Sequence, residues 1–495
     1  MWGRAFLSLL FARFIVLKNN KWKNNAVKAQ RETMLRLLNQ AKNTTFGKDH
    51  CFAEIKSYAD FKDNVPVRDY EGFKPYVEQI INGGENVLWP GRPLYFCKTS
   101  GTTSGTKYIP ISNESMPNHI RAARDAVLSY IAETKNTSIV NGKTIFLQGS
   151  PNLSKTGGIL TGRLSGIVAH HVPSYLTKNH LPSFETNCIV DWETKVDAIV
   201  NETIYEQMSV ISGIPPWVQM YFERLKKKGG KLIKDLFPKF DLFIYGGVNY
   251  EPYRKSFEKL IGKEVDSVEL YPASEGFVAY QDSQKEEGML LCVNHGIFYE
   301  FIPVDNFFDK KPTRISLSEV SLGVNYVIIL STNAGLWGYN IGDTIRFVSV
   351  NPYRIVVSGR IKHFTSAFGE HVIAEEVERS LKETIEKIPA QVKEFHVAPQ
   401  VNPKKGLPHH EWLIEFEKEP QNINDFRLFI DACLQKHNAY YKDLISGGVL
   451  RPLEITIVDK NGFNNYMKSI GKLGGQNKVP RLTNDRKIAD KLTVF

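Results

Sequence analysis

A loop between two strand-like runs restricts the fold of this chain more than any other feature. The loop, Thr99-Ser-Gly-Thr-Thr-Ser-Gly-Thr-Lys107, combines hydroxyl side chains with two glycines and a lysine, and Leu94–Cys97 and Tyr108–Ile111 flank it. Such a loop can turn backbone N–H groups, hydroxyls and an ammonium group toward a polyphosphate. The alternative is a flexible Ser/Thr/Gly surface turn.

The loop is not a P-loop. That motif needs Gly, four residues and then Gly-Lys-Ser/Thr, whereas Thr106 stands where the second glycine should be. Pro110 also argues against a helix that starts directly after Lys107.

Length and composition predict more than one packed domain. A chain of 495 residues is too long for one core, and 42% hydrophobic residues are enough for sizeable cores. The net charge of +10 favours an anionic ligand such as a nucleotide. No block of basic residues interleaved with aromatics occurs, so we do not expect a nucleic-acid partner. Nothing in the sequence indicates an oligomeric state.

The cysteines and histidines argue against disulfide and zinc frameworks. Five scattered cysteines with no C-x-x-C pair favour a reducing, cytoplasmic location. We interpret His170-His171 and His409-His410 as ordinary polar residues, because zinc ligands converge from several elements.

The N-terminal segment Met1–Leu17 resembles the apolar region of a signal peptide. Arg4 and Arg13 interrupt it, and no small-x-small cleavage site follows before Lys18. It is too short and too charged to span a membrane, so no stable insertion is expected. We expect an amphipathic helix packed on the protein, with membrane attachment as the alternative.

Strand and helix signals alternate from about residue 92, which predicts an α/β body with mixed sheets. Helices are expected over 114–134 and 196–210. Several strands end in glycine- or serine-containing turns, where ligands of open α/β sheets gather. Three such turns are expected to line one crevice: Tyr245-Gly-Gly247, Tyr271-Pro-Ala-Ser-Glu-Gly276 and Tyr339-Asn-Ile-Gly-Asp343.

The order of strand and helix signals changes after Ile355-Val-Val-Ser-Gly-Arg360. An α-β-β-α-β order follows, with one long helix expected over 424–444, and it predicts a small α+β domain. We therefore expect domains at 1–357 and 358–495, joined by a short hinge. A glycine-rich loop near the end carries Lys478 and Arg481.

Five motifs in order resemble those of the GH3 acyl acid amido synthetases, a branch of the acyl-adenylate-forming, firefly luciferase-like superfamily. The resemblance covers nearly the whole chain, and the order of the motifs is more specific than any one of them. They are the 99–107 loop, Tyr271–Glu275, Tyr339–Asp343, Ser358–Arg360 and Gln476–Arg481. The family is best known from plants, where members join auxin, jasmonate or benzoate-type acids to amino acids. The shorter length of this chain resembles that of the family's bacterial members.

The resemblance implies the architecture of adenylate-forming enzymes: a large N-terminal α/β domain with mixed sheets and a smaller, mobile C-terminal α+β domain. It implies ATP-dependent adenylation of a small carboxylic acid, followed by acyl transfer to the amine of an amino acid. AMP and pyrophosphate are released. The alternatives are an acyl-CoA or acyl-thioester ligase with the same first step, and a non-catalytic nucleotide-binding protein.

The resemblance also implies a site for ATP and Mg²⁺. The β- and γ-phosphates would contact the first motif, at Thr99, Ser100, Gly101, Thr102 and Thr103. In the second motif, which starts at Tyr271, Ser274 would lie at the α-phosphate. Glu275 would bind Mg²⁺ directly or through water. The alternative for Glu275 is a surface carboxylate in a turn.

The nucleoside contacts implied by the resemblance come from four positions. Asp343 would accept hydrogen bonds from the ribose, Gly246 and Gly247 would let the backbone approach adenine, and Phe298 would offer a stacking face. The alternatives are an Asp that caps a turn and glycines of a plain strand-to-helix turn.

Lys478 is the implied catalytic lysine, which would bridge the attacking carboxylate and the α-phosphate. Rotation of the small domain would deliver Lys478 for adenylation and then make room for the amine. Arg360 and Lys362, at the domain join, are both candidates for the hinge residue and for phosphate contacts. The alternative for Lys478 is a solvated tail residue.

Three positions depart from the family pattern. Thr99 replaces a serine but keeps the hydroxyl, Asn340 replaces a basic residue, and Phe298 replaces a tyrosine while keeping the ring.

Overall fold

The fold is that of a computed structural model, which describes residues 2–100, 106–172, 178–247, 250–307, 309, 311–361, 364–365, 372–401, 403–446, 450–473, 478–483 and 485–492. The chain divides into two compact units. Unit 1 comprises Met1–Ile341 and Ile345–Val356, and unit 2 comprises Gly342–Thr344 and Val357–Phe495. The short segment 342–344 therefore groups with the second unit, and the division into 1–357 and 358–495 stays a prediction.

The described helices of unit 1 are α1 (Trp2–Lys23), α2 (Ala26–Ala41), α3 (Thr45–Asp49), α4 (Tyr58–Asn64), α5 (Tyr70–Ile81), α6 (Met116–Thr134), α7 (Leu164–Ala169), α8 (Phe184–Cys188), α9 (Trp192–Thr203), α10 (Pro215–Gly229), α11 (Ile233–Leu236) and α12 (Glu251–Ile261). Local chemistry fixes their ends. A capping box between Ser57 and Asp60 starts α4, and Gly230, in the left-handed conformation, ends α10.

The described strands of unit 1 are β1 (Tyr95–Ser100), β2 (Thr106–Ile111), β3 (Lys143–Phe146), β4 (Ser154–Thr156), β5 (Ile159–Gly162), β6 (His180–Leu181), β7 (Met208–Ser212), β8 (Leu242–Gly246), β9 (Asp266–Ala273), β10 (Gly276–Tyr280), β11 (Met289–Leu291), β12 (Ile297–Pro303) and β13 (Asn325–Thr332). β14 (Tyr339–Val350) belongs to unit 1 except for Gly342–Thr344, and β15 (Tyr353–Arg360) passes from unit 1 into unit 2 after Val356. Among described residues the large sheet has the order β12-β13-β14-β15-β11-β10-β9-β8-β7-β3-β6, and a smaller one the order β2-β1-β5-β4.

The large sheet is mixed, as expected. Neighbours from β6 through β3, β7 and β8 to β9 are parallel, whereas β9, β10, β11 and β15 pair antiparallel. The mixed α/β architecture predicted from the sequence is therefore confirmed.

The helix expected over 196–210 is wrong at its end, because residues 208–212 form β7. Residues 208–211 are all buried. A strand that is buried on both faces has no polar alternation, so its apolar run is easily read as part of a helix.

The N-terminal segment forms α1, which packs along α6 and buries Ala12, Ile15 and Trp22. The expected packing of this helix on the protein is confirmed. Its expected amphipathic character is wrong, because the face opposite the packed one is also apolar, with Phe6, Phe14 and Leu17 60% or more exposed. In the described residues, no helix combines the length and the apolar character needed to cross a bilayer.

Unit 2 contains the strands β16 (Phe364–Thr365), β17 (Val372–Ile373), β18 (Gln391–Gln400), β19 (His409–Lys418) and β20 (Glu454–Ile457), and the helices α13 (Ala374–Lys387), α14 (Ile423–His437), α15 (Ala439–Ser446), α16 (Gly462–Ser469) and α17 (Ala489–Leu492). The single long helix expected over 424–444 is wrong. Asn438 adopts an extended conformation between α14 and α15, and its side-chain oxygen accepts a hydrogen bond from Tyr441 N at 2.7 Å. Asn favours such a cap over a helix interior, which explains the break.

Candidate active site

Two predicted turns lie side by side at one edge of the large sheet. β8 pairs with β9 in parallel, with Gly246 opposite Leu270. Gly247 follows β8, and Ser274 and Glu275 form the two-residue turn between β9 and β10. The carboxyl ends of parallel strands are where ligands bind in open α/β sheets, so this edge is the candidate active site.

Protein packing already requires glycine at this edge. A Cβ added at Gly246 would lie 2.4 Å from the carbonyl oxygen of Leu270, and Gly247 has a φ of +72°. Both constraints follow from the strand-to-helix turn itself. The contact of these glycines with adenine stays a prediction.

A direct contact joins β1 to the turn between β9 and β10. Cys97 Sγ donates a hydrogen bond to Ser274 Oγ at 3.0 Å. Thr99 lies two residues beyond Cys97 on β1 and pairs with Lys107 of β2. The structure therefore brings the start of the hydroxyl-rich loop to the second motif.

Two charged groups of opposite sign act on the Cys97 thiol. Burial is the main reason that the pKa of the Cys97 thiol is raised to about 12; the charge of Glu275 adds to the rise, whereas the hydrogen bond with Ser274 and the charge of Arg163 oppose it. The thiol is therefore neutral near pH 7, and a carboxylate and a guanidinium both act on the point where β1 meets the turn.

The rest of the first loop is only partly described. Gly101, Thr102 and Thr103 lie outside the described residues, and Ser100 is described by its backbone pairing with Thr106. Lys107 is placed over the ring of Tyr70, with 5.7 Å from Nζ to the centroid.

Tyr271 and Phe298 are core residues of unit 1. Tyr271 is buried in β9 opposite Ala279. Phe298 is 4% exposed and packs edge-on against Tyr58 and Phe61, with centroid distances of 5.9 Å and 5.6 Å. This packing accounts for the Phe298 ring without a ligand, and its stacking on a nucleotide stays a prediction.

The third and fourth motifs contact each other in unit 2, and the crevice expected to be lined by all three strand-end turns stays a prediction. Asp343 is buried at 7% exposure. On either side of it, Gly342 O accepts a hydrogen bond from Ile361 N at 2.7 Å, and Ser358 Oγ donates to Thr344 Oγ1 at 3.0 Å. Arg360 ends β15 but its side chain, like all of Lys362, lies outside the described residues.

Lys478 is exposed, and the segment that follows it is anchored to β18 of unit 2. Val397 N donates to Arg481 O at 2.8 Å, and a ring nitrogen of His396 contacts Pro480 O at 2.8 Å. The Arg481 guanidinium pairs with two carboxylates, Glu378 at 3.1 Å and Glu394. These contacts fix the backbone three residues beyond the lysine.

Matches to family models decide the assignment. The GH3 family N-terminal domain matches residues 18–189, the central domain residues 290–360 and the C-terminal domain residues 375–487. They follow the family's own order and together cover more than two thirds of the chain. The chain belongs to the GH3 family.

Curated and solved relatives of this GH3 protein are distant in sequence. Jasmonoyl–L-amino acid synthetase JAR6 of Nicotiana attenuata is 23% identical over an alignment of 550 positions. The alignment covers 92% of this chain and 91% of the relative. The structure of AtGH3.15 acyl acid amido synthetase in complex with 2,4-DB has a TM-score of 0.80 at 16% identity, covering 98% of this chain and 96% of that one. A 2-hydroxyisobutyryl-CoA ligase has a TM-score of 0.60 at 12% identity, covering 94% and 91%. The fold is that of adenylate-forming enzymes.

Arg163 is a candidate site residue that the sequence analysis missed. It directly follows β5, which pairs in parallel with β1 so that Gly162 lies opposite Cys97. β5 has only four residues, too few for a clear strand signal, so nothing in the sequence marked Arg163 as a strand-end residue of this GH3 protein.

Glu269 is a second missed residue, on the strand that leads to Ser274. Burial and the charge of Glu251 raise the pKa of this carboxyl from 4.5 to about 7. The sequence marked only the turn, because nothing in the strand pattern signals a raised pKa.

Substituting Glu269 with glutamine is expected to change the pH dependence of stability. With a raised folded-state pKa, the stabilisation from this group is complete below the unfolded value of 4.5 and is lost as the pH rises through about 7. Glu269→Gln is therefore expected to raise the free energy of unfolding near neutral pH by about 1–3 kcal/mol, with little effect in acid. Urea unfolding at several pH values measures this, and Glu264→Gln, at an exposed position, is the control. Parallel curves for the Glu269 variant and the parent would contradict the raised pKa.

Proposed function

We propose that this GH3 protein is an ATP-dependent acyl acid amido synthetase. In the first step an oxygen of the acid's carboxylate attacks the α-phosphorus of ATP, and the bond to pyrophosphate breaks. In the second step the amine of an amino acid attacks the acyl carbon, AMP leaves, and the amine's proton passes to solvent. The described cysteines are free, in keeping with a reducing, cytoplasmic location for this chemistry.

The observation that carries the proposal, beside the family, is the contact between Cys97 and Ser274. Through it the end of β1, from which the hydroxyl-rich loop starts, and the turn that holds Glu275 share one edge of unit 1. Attack of a carboxylate on a phosphate brings two anions together, so the site needs positioned donors and cations.

The proposed roles of the candidate residues follow from their chemical type. We assign Thr99 through Thr103 to the β- and γ-phosphates, Ser274 to the α-phosphate, and Arg163 as an additional positive charge beside them. Gly246, Gly247 and Asp343 are assigned to the nucleoside, and Lys478 to the α-phosphate and the attacking carboxylate. Because Lys478 belongs to unit 2, the reaction needs this lysine to be delivered to the turns of unit 1.

The residues present fit a magnesium ion that is held mainly by its substrate. Among the described residues no three His, Cys, Asp or Glu side chains are grouped as a metal cage. Mg²⁺ usually takes one or two carboxylates plus phosphates and waters, and Glu275 in its turn can be that carboxylate. When bound, the ion would neutralise charge that develops on the phosphates.

The adenylation step is tested by exchange of labelled pyrophosphate into ATP over a panel of aryl, indole and fatty acids. Exchange that depends on one of these acids is expected. Absence of exchange with every acid would favour the non-catalytic alternative.

The second step separates the proposed function from an acyl-CoA ligase, whose fold is similar. With the activating acid identified, amino acids, CoA and hydroxylamine are offered as acceptors and products are followed by mass spectrometry. Hydroxylamine traps the acyl adenylate in either case. An amide with an amino acid is expected. If the only product besides the one trapped by hydroxylamine is a thioester with CoA, the proposal is overturned.

A further inference from the structure

The rotation of α1 about its axis is fixed by contacts with unit 1. Ala12, Ile15 and Trp22 are buried against the core. Asn19 Nδ2 donates to Asp125 Oδ2 of α6 at 3.0 Å, and Lys23 Nζ pairs with Asp282 at 2.6 Å. One face of the helix thus packs against unit 1, and only the opposite face can contact another molecule.

That opposite face is apolar. It consists of six exposed side chains, which we call the α1 apolar arc. With their exposed fractions, they are Phe6 (64%), Leu7 (64%), Leu10 (46%), Phe11 (46%), Phe14 (60%) and Leu17 (67%). At about 100° per residue the arc is centred opposite Ala12 and Asn19. Large side chains exposed together over three helical turns mark an interaction surface rather than an ordinary water-facing helix.

The charged residues of α1 itself all have one sign. Between Trp2 and Lys23 the helix has no acidic residue. Arg13, Lys18 and Lys21 are exposed beside the arc. The surface therefore complements a partner that is apolar in its interior and anionic at its boundary, as an anionic bilayer surface is.

A second copy of this chain fits less well. In a twofold dimer the arc would face itself, and a second copy of α1, which has no acidic residue, would offer no counter-charge to Arg13, Lys18 and Lys21. A lipid surface instead places these cations among phosphates while the Phe and Leu side chains enter the acyl boundary.

We propose that the α1 apolar arc binds the surface of anionic membranes, with α1 lying in the plane of the headgroups. The packed face keeps the helix attached to α6, so the whole protein is held at the surface as a peripheral protein. This inference does not depend on the proposed chemistry.

Co-sedimentation of the full-length protein with vesicles tests the inference. Binding is expected to phosphatidylcholine vesicles that contain phosphatidylglycerol, with much weaker binding to phosphatidylcholine alone and a decrease on adding salt. Phe6→Ser combined with Leu10→Ser and Leu17→Ser is expected to weaken binding by about tenfold or more, because each apolar side chain loses its burial. Arg13→Gln with Lys18→Gln and Lys21→Gln is expected to weaken binding to anionic vesicles alone.

The control removes matched apolar residues elsewhere. Phe184 and Leu428 are 52% and 53% exposed outside α1, and Phe184→Ser with Leu428→Ser is expected to bind as the parent does. Circular dichroism checks that every variant is folded. The proposal is overturned if the parent binds neither vesicle, or if the arc variant binds as tightly as the parent. It is also overturned if the parent is a dimer in sedimentation that the arc variant dissociates, without vesicle binding.

Discussion

Replacing Lys478 with alanine is expected to lower acid-dependent exchange of pyrophosphate into ATP by about 10²-fold or more. The proposed role of this lysine is to hold the attacking carboxylate and the α-phosphate together while charge builds up, and loss of one such contact costs about this much. Because the side chain is exposed, its removal should leave the fold intact. The loss should therefore appear in the rate and not in the unfolding transition.

Lys472 provides the matched control for this experiment. It is an exposed lysine on the same stretch of unit 2, with its backbone bonded to Met467 O. Lys472→Ala should exchange pyrophosphate as fast as the parent. Lys478→Arg keeps the positive charge but carries it on a planar guanidinium instead of a compact ammonium group. This variant is expected to recover only part of the exchange rate. Equal exchange in Lys478→Ala and the parent would remove this lysine from the mechanism.

Replacing Arg314 with methionine is expected to lower the free energy of unfolding by about 3–5 kcal/mol. Two nitrogens of Arg314 bind the two carboxylate oxygens of Glu300, at 3.0 Å and 2.6 Å, and a third donates to Val65 O at 2.5 Å. The Glu300 side chain is 1% exposed. Without its partner this carboxylate is left charged in the core, on the same strand as Phe298.

The effect of Arg314→Met is expected to depend on pH. Burial raises the pKa of Glu300 and Arg314 opposes the rise, so removal of the guanidinium raises it further. A raised pKa costs stability above the unfolded value, and the deficit should shrink in acid, where a protonated Glu300 needs no counter-charge. Urea unfolding followed by tryptophan emission measures this, and mainly in unit 1, because Trp412 alone among the tryptophans of the sequence belongs to unit 2.

Two further variants separate the buried pair from a general effect of losing an arginine. Arg224 pairs with Asp197 at 2.7 Å at the surface, with 34% of its side chain exposed. Arg224→Met is expected to cost less than about 1 kcal/mol. Arg314→Met together with Glu300→Gln should be more stable than Arg314→Met alone. If Arg314→Met lowered the free energy of unfolding no more than Arg224→Met does, the stabilising role of the buried pair would be contradicted.

Much of the large sheet was predictable because local patterns agree with the tertiary structure there. The helix expected over 114–134 is α6 (Met116–Thr134), and Gly246 and Gly247 lie at and just after the end of β8, as the strand run before them predicts. Prediction failed at β7 and at Asn438. In both places the outcome depends on neighbours in space: strands on both sides of β7, and the cap that Asn438 makes to the next turn.

The order of the motifs determined the family, the type of reaction and the turns at which to look, because turn chemistry and strand ends are encoded over a few residues. Tertiary structure alone decided which turns meet, that Phe298 is packed beneath Tyr58 and Phe61, and that Arg163 joins the edge through a four-residue strand. It also decided which face of α1 is left open. These properties arise from pairing between segments that are far apart in the chain. Local sequence does not encode which distant segment each one will contact.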